Sequence, residues 1–182
     1  MRTERLLLRR WVQADREPFG LMNADPEVMA SFPAPLSRHA SDLLVDRIEG
    51  HFVRHGFGLW ALEIVASGEF IGFTGLAIPH FEAAFTPTVE VGWRLARSAW
   101  GHGYATEAGR AVLGIAFSEL LLPEVVSFTS ELNTRSRAVM ERLGLRHDPA
   151  DDFDHPDIAP GHPLRRHVLY RLTEPDWRKL TA

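Results

Sequence analysis

The chain has 182 residues, of which 45% are hydrophobic and 24% charged, and it carries a formal net charge of −4. These are ordinary globular values, and the slightly acidic balance excludes general nucleic-acid affinity. Cysteine is absent, which excludes both a disulfide framework and a thiol nucleophile and suits a cytoplasmic enzyme.

No apolar run reaches the about 18 residues of a membrane span, and Met1-Arg2-Thr3-Glu4-Arg5 opens no signal peptide. One domain over residues 1–182, with no membrane contact, is therefore expected. Arg5 to Trp11 reads as a first strand. Ala14 to Asn23 reads as a helix stopped by Asp25-Pro26, and Pro26 to Leu36 as a loop. Ser37 to His55 is a second helix, with Leu44, Ile48 and Phe52 at four-residue spacing and Gly56 placed to end it. Gly58 to Val65 and Phe70 to Ile78 are two strands joined by a hairpin turn at Ala66-Ser67-Gly68-Glu69. The loop from Pro79 to Thr88 carries Phe81 and Phe85, apolar for a solvated connection; they cover a pocket or pack inward.

The stretch from Val89 to Leu120 changes period. Val89, Val91, Trp93 and Leu95 alternate with Glu90, Gly92 and Arg94, as in a strand. Gly92 suggests a bulge or close backbone approach, where a strand parts from its neighbour and leaves N–H and C=O groups free. Gly101-His102-Gly103 then opens a helix on which Ala105, Gly109, Val112 and Ala116 share one face. A Gly-x-Gly turn at a helix start aims unpaired N–H groups outward, where the helix dipole adds positive charge, so the turn is a candidate phosphate site. A tight turn without a ligand is the alternative.

Pro123 to Thr129 reads as a strand, parallel to the one before the loop because a helix crosses between them. Asn133 to Leu143 is a short helix with Asn133 as N-cap and Gly144 as the residue past its end. Asp151 to His167 is rich in histidine, aspartate and proline, and Val168 to Leu172 is a final strand. The tail's spacing matches no zinc pattern, so no metal is assigned; its histidines and carboxylates suit an amine ligand, and a recognition loop is the better reading.

The segment EVGWRLARSAWGHGYATEA resembles the acyl-CoA-binding motif of the GNAT superfamily of N-acetyltransferases, and most closely the bacterial ribosomal-protein N-terminal acetyltransferases, the Rim-type branch. Gly101 and Gly103 match the motif's glycines, while Ser98 stands at its Gln/Arg position, as in the Rim-type branch. NTRSRAVMERLGL is similar to the second GNAT signature through Asn133, Ser136, Val139, Gly144 and Leu145. Met140 replaces the tyrosine that in many of these enzymes protonates the leaving thiolate. The ending DFDHP…GHPLRRHVLYRL resembles that of uncharacterised Rim-type sequences. The resemblance covers nearly the whole chain and is strongest from Phe57 to Gly144.

The resemblance implies a single α/β (α+β) GNAT domain: a mixed, mostly antiparallel twisted sheet with splayed central strands, flanked by helices. It implies acetyl transfer from acetyl-CoA, as cosubstrate, to a primary amine by direct attack, with a protein N-terminal amine as the branch's acceptor. A polyamine, amino acid or antibiotic stays open. The implied CoA contacts are Trp93, Arg94, Leu95, Gly101, His102, Gly103, Tyr104, Ala105, Thr106, Asn133 and Ser136, with Arg97 as a phosphate partner. The amides around Trp93 to Leu95 are the implied oxyanion donors. Glu90 is the candidate base, with Tyr170 and His167 behind it, and each has a structural alternative. Ser136 is the candidate acid or a first-turn capping residue. Phe32 and His39 are acceptor contacts, or core and solvated residues respectively. A homodimer is the assembly considered. A dinucleotide-dependent oxidoreductase and a non-catalytic acyl-CoA-binding regulator are the competing functions; the first meets Thr106 where its fingerprint needs a third glycine.

Overall fold

In β1 (Leu6–Arg9), Leu6 and Leu8 are buried while Leu7 and Arg9 are half-buried, the period-two pattern of a strand. The structure, a computed structural model, describes residues 1–181; Ala182, at the end of the expected domain, lies outside them. A 3₁₀ turn at Gln13–Asp15 leads into α1 (Arg16–Ala24). In α2 (Arg38–His55) Ser37 caps the start by accepting from the Ala40 N–H at 3.2 Å, and Gly56 ends the helix at φ +77°. Its buried stripe is Ser41, Val45, Ile48 and Phe52, with Leu44 at the margin.

Then follow β2 (Leu59–Ile64), β3 (Phe70–Ala77), β4 (Glu90–Leu95), α3 (Tyr104–Gly114), β5 (Glu124–Ser130), α4 (Thr134–Arg142), β6 (Arg146–His147), β7 (Phe153–Asp154), β8 (Arg166–Thr173) and α5 (Glu174–Thr181). A π-helical turn at Ile115–Glu119 continues α3 and keeps Ala116 and Phe117 buried. The strands form one sheet in the order β1-β2-β3-β4-β5-β8-β6, with β7 also on β8. Every pairing is antiparallel except β4 with β5, which is parallel as the crossover requires. This mixed sheet is incompatible with the all-parallel sheet of a dinucleotide-binding fold.

Helices cover both faces. Leu6, Leu62, Ile71, Val91, Val112, Leu113, Met140 and Leu172 form one core with α3 and α4. Trp11, Phe19, Val45, Ile48, Phe52, Ala61 and Phe73 form the other with α1 and α2. The sequence pattern left α5 unassigned, although Thr173-Glu174-Pro175-Asp176 carries a start signal. The Thr173 hydroxyl accepts from the Asp176 N–H at 3.4 Å, and proline sits in the first turn. Its Trp177 stacks on Phe117 at 5.7 Å. Among the described residues no helix is long and apolar enough to cross a membrane.

Gly92 forms neither the bulge nor the close backbone approach expected of it: it pairs in register with Gly75, and a Cβ there would meet only the Glu90 side chain, at 3.6 Å. A bulge is present elsewhere in the sheet. It lies between β2 and β3, where Leu62 faces Gly72 and Glu63 faces Phe70, leaving Ile71 extra. Gly72 has φ +130°, and a Cβ there would stand 2.1 Å from the Arg94 carbonyl oxygen, so glycine is needed for conformation and for room.

Candidate active site

β4 and β5 share one paired position, Glu90 with Val126, and the Val126 N–H donates to the Val89 carbonyl at 3.0 Å. Beyond it the two strands part. The Val89 carbonyl faces β5 and the Ala96 N–H faces β3, donating to Ile71 at 2.9 Å. Strand alternation therefore turns the backbone groups of Val91, Trp93 and Leu95 into the gap and those of Glu90, Gly92 and Arg94 toward β3. Trp93 and Leu95 thus turn backbone groups toward the gap, whereas the amide of Arg94 belongs to the β3 ladder. The Trp100 indole N–H already donates to the Leu95 carbonyl, at 2.9 Å, and pins the strand end to the loop.

The gap opens into a cleft of about 1080 Å³ that runs from the Gly101–Thr106 loop past β4 to the α1–α2 end. Gly101 and Gly103 adopt φ +82° and +80°. A Cβ at Gly101 would meet nothing within 4 Å, and one at Gly103 only Arg5 Nη2 at 3.6 Å, so this turn is an open cradle. The first helical bond of α3 runs from the Glu107 N–H to Gly103 at 3.0 Å, leaving the amides of Tyr104, Ala105 and Thr106 ahead of it as donors for an anion. The donor set fits a pyrophosphate. Arg5, unmarked by any sequence signal, braces the loop by donating to the His102 carbonyl at 2.9 Å and to Glu107 at 2.6 Å. Burial opposes ionisation of Glu107, but hydrogen bonds from Thr3 and Arg5 prevail and hold its carboxyl below the usual range.

One expected phosphate contact lies elsewhere. Arg97 donates to Glu27 at 2.7 Å and does not line the cleft. The exposed His102 ring stacks on Tyr104 at 5.5 Å. Arg135, which the motifs do not mark, lines the cleft with its guanidinium 4.5 Å from the Trp100 ring centre.

Glu90 lines the floor of the cleft, which leaves it half-buried; burial pushes its carboxyl up to about 8. Gly92, two residues on along the same face, leaves room beside it, since a Cβ there would meet the Glu90 carboxylate at 3.6 Å. Asn133 caps α4, accepting from the Ser136 N–H at 3.2 Å and donating to the Thr129 hydroxyl at 2.9 Å. Ser136 lines the cleft and its hydroxyl has no partner among the described residues. Met140, at the motif's tyrosine position, is fully buried. Ser136→Ala should therefore slow turnover several-fold with little change in melting temperature. Met140→Ala should instead cost about 2–5 kcal/mol of stability, the range for a buried methionine, as measured by denaturant unfolding. An unaltered kcat in Ser136→Ala, with chemistry rate-limiting, would reduce the serine to a helix-start residue.

Tyr170 is withdrawn as a catalytic candidate. It is 2% exposed on the face of β8 opposite His167, stacked on His147 at 5.0 Å, with its hydroxyl donating to Glu141 at 3.1 Å. His167 does line the cleft; burial pushes it down to about 4, and its Nδ1 is 3.1 Å from the Arg165 carbonyl. His155 packs on it at 4.9 Å and on Phe81 at 4.6 Å, within an aromatic cluster that takes in Phe85, Phe128 and Phe153. Phe81 and Phe85 therefore pack against the tail loop. The tail's carboxylates are engaged: Asp152 with His147, Asp154 with Arg165, and Asp157 with His80. At the far end Phe32 lines the cleft, whereas His39 is exposed and does not.

The family described as Acetyltransferase (GNAT) domain matches residues 5–146. The chain belongs to the GNAT acetyltransferase family. GNAT enzymes are acyltransferases that use acetyl-CoA, which agrees with the anion cradle and the strand gap. FsC-acetyl coenzyme A-N(2)-transacetylase of Aspergillus fumigatus is 37% identical over 129 residues, 69% of this chain and 54% of that protein, so this GNAT chain spans about half that relative's length. The solved acetyltransferase from Agrobacterium tumefaciens is 30% identical with a TM-score of 0.75, covering 94% of this chain and 92% of its own. Spermidine N-acetyltransferase from Vibrio cholerae, solved with CoA and spermine, superposes with a TM-score of 0.75 over 97% and 99% of the two chains; at 16% identity it shares the GNAT fold.

Proposed function

We propose that this protein moves an acetyl group from acetyl-CoA to a primary amine by direct attack. The observation that carries the reading is Glu90, a half-buried carboxyl that burial raises to about 8, beside the point where β4 parts from β5. The amides of Tyr104, Ala105 and Thr106, with Gly101 and Gly103, hold the pyrophosphate, and Arg135 adds charge. The amides of Trp93 and Leu95 flank the extended arm and donate to the carbonyl oxygen as it gains charge. Glu90, directly or through a water, takes the amine proton; the new N–C bond forms as the C–S bond breaks, and Ser136 returns a proton to sulfur. Placing amine and thioester together supplies much of the rate.

The branch resemblance makes a protein N-terminal amine the first acceptor reading. The aromatic far end of the cleft, lined by Phe32 and Phe73, favours a small amine as the second.

Saturating acetyl-CoA should raise the melting temperature by roughly 5–10 °C, because a hundredfold excess over Kd stabilises a fold by about 2.7 kcal/mol. CoA should give much of the shift and NAD almost none. Thiol release on a panel of amines and peptides completes the test. A shift without release on any amine turns the reading toward a non-catalytic acyl-CoA sensor; no shift with acetyl-CoA removes it.

A further inference from the structure

Arg94 lies at the α1–α2 end of the cleft, on the same face of β4 as Glu90 and Gly92. Its guanidinium is held against two rings, 4.2 Å from the centre of Phe32 and 5.6 Å from that of Phe73. Nη1 donates to Asn23 Oδ1 at 2.7 Å; Asn23 is fully buried and donates in turn to the Ser41 hydroxyl at 2.8 Å. Nε is shut off from solvent with no partner, and Arg94 forms no ion pair among the described residues.

The contrast with Arg9, another well-packed arginine, is direct. Arg9 grips Asp15 with two nitrogens at 2.7 and 2.8 Å and Glu63 with a third at 2.7 Å. The carboxylates near Arg94 are committed elsewhere or set back: Glu27 to Arg97, Asp157 to His80, and Glu90 four residues earlier on β4. A desolvated cation without a counter-ion is costly. Burial lowers Arg94 to about 10, so it stays protonated at neutral pH.

We propose that Arg94 reads a carboxylate on the acceptor, so that the amine taken by this cleft belongs to an amino-carboxylic acid. The inference rests on the amine-acetylation reading above and narrows it. A planar carboxylate of charge −1 suits a single guanidinium held against two rings, with one neutral amide as its hydrogen-bond partner among the described residues. Same-face positions on a strand lie about 7 Å apart. Glu90 and Arg94 stand two such steps, about 13 Å, apart along β4, so an acceptor seated over Gly92 turns its amine toward Glu90 and its carboxylate toward Arg94 across that span. A polyamine would bring a second positive charge to Arg94, and a like-charge pair is unfavourable. The carboxylate has two sources: the α-carboxylate of a free amino acid, or an acidic side chain in the first residues of a peptide.

The experiment compares matched pairs on the wild-type protein: amino acids against their carboxamides, and peptides beginning Asp or Glu against those beginning Asn or Gln. Thiol release is read with acetyl-CoA, and thermal stabilisation with CoA bound. The carboxylate member of at least one series should have the higher kcat/KM, by about 30- to 1,000-fold. Which series responds identifies the source. Arg94→Gln should collapse the preference, and Arg94→Lys should restore part of it. Equal rates within every pair, or a preference that survives in Arg94→Gln, would overturn the proposal. If no amine releases thiol, the acetylation reading fails and binding decides this one. Stabilisation by the carboxylate members alone, lost in Arg94→Gln, keeps it; no such stabilisation removes it.

Discussion

Gly103→Val should abolish detectable acetyl-CoA binding, removing the roughly 5–10 °C ligand shift, while the protein still folds. Gly103 has φ +80°, a region that a β-branched residue enters at about 1–2 kcal/mol or more. A Cβ at Gly103 meets no protein atom closer than Arg5 Nη2 at 3.6 Å, the end of a flexible side chain that can give way, so the added methyls obstruct the anion cradle rather than the fold. Gly114→Ala on the same helix is the control, since its φ is ordinary and a Cβ there meets nothing within 4 Å. It should bind acetyl-CoA as the wild type does. Wild-type affinity in Gly103→Val would sink the cradle assignment.

Glu90→Gln should lower kcat by about ten- to a thousandfold with little change in acetyl-CoA affinity. In the wild type the rate should climb with pH through about 8, as the carboxyl ionises into its basic form. The variant should lack that limb, yet recover part of its loss at high pH, where more of the amine is already neutral. The same shift acts on stability. A carboxyl raised from 4.5 to about 8 binds more protons folded than unfolded between those values, so its contribution is fully present below pH 4.5 and is lost as pH rises through 8. One proton sets a slope of at most about 1.4 kcal/mol per pH unit. Denaturant unfolding from pH 5 to 8 should show this decline in the wild type and a flatter profile in the variant. A rate near pH 7 that is unchanged by the substitution would take Glu90 out of the mechanism.

Periodicity made most of the fold legible, because β4 and α2 bury one side and the alternation of their residues says so. The glycine turn was legible too, since two left-handed positions at a helix start need glycine whatever the tertiary setting. What stayed hidden depends on which side of a strand faces empty space. Alternation puts Arg94 with Glu90, but it does not reveal that α1 supplies an amide rather than a carboxylate to meet the guanidinium. Tyr170 and His167 sit three residues apart on β8, which separates them onto opposite faces. A sequence read for residue types alone treats both as candidates. Gly92 and Gly72 differ in a similar way. Both interrupt β-favouring runs, but only Gly72 sits beside a bulge and at a positive φ, where a Cβ would collide with the Arg94 carbonyl. Arg5 and Arg135 reach the loop across tertiary distance and leave no local pattern.

The single paired position between β4 and β5 gives the sheet a third edge, inside the molecule. Outer edges of a sheet risk joining to another chain, and proteins blunt them with charge, proline or a cover. This inner edge is flanked by β5 and opens onto the cleft, so its unpaired groups face a ligand space rather than the rim of the sheet. Hydrogen bonds missing at an outer edge would mark an unfinished fold; missing here, they leave donors and acceptors for whatever chain enters the cleft.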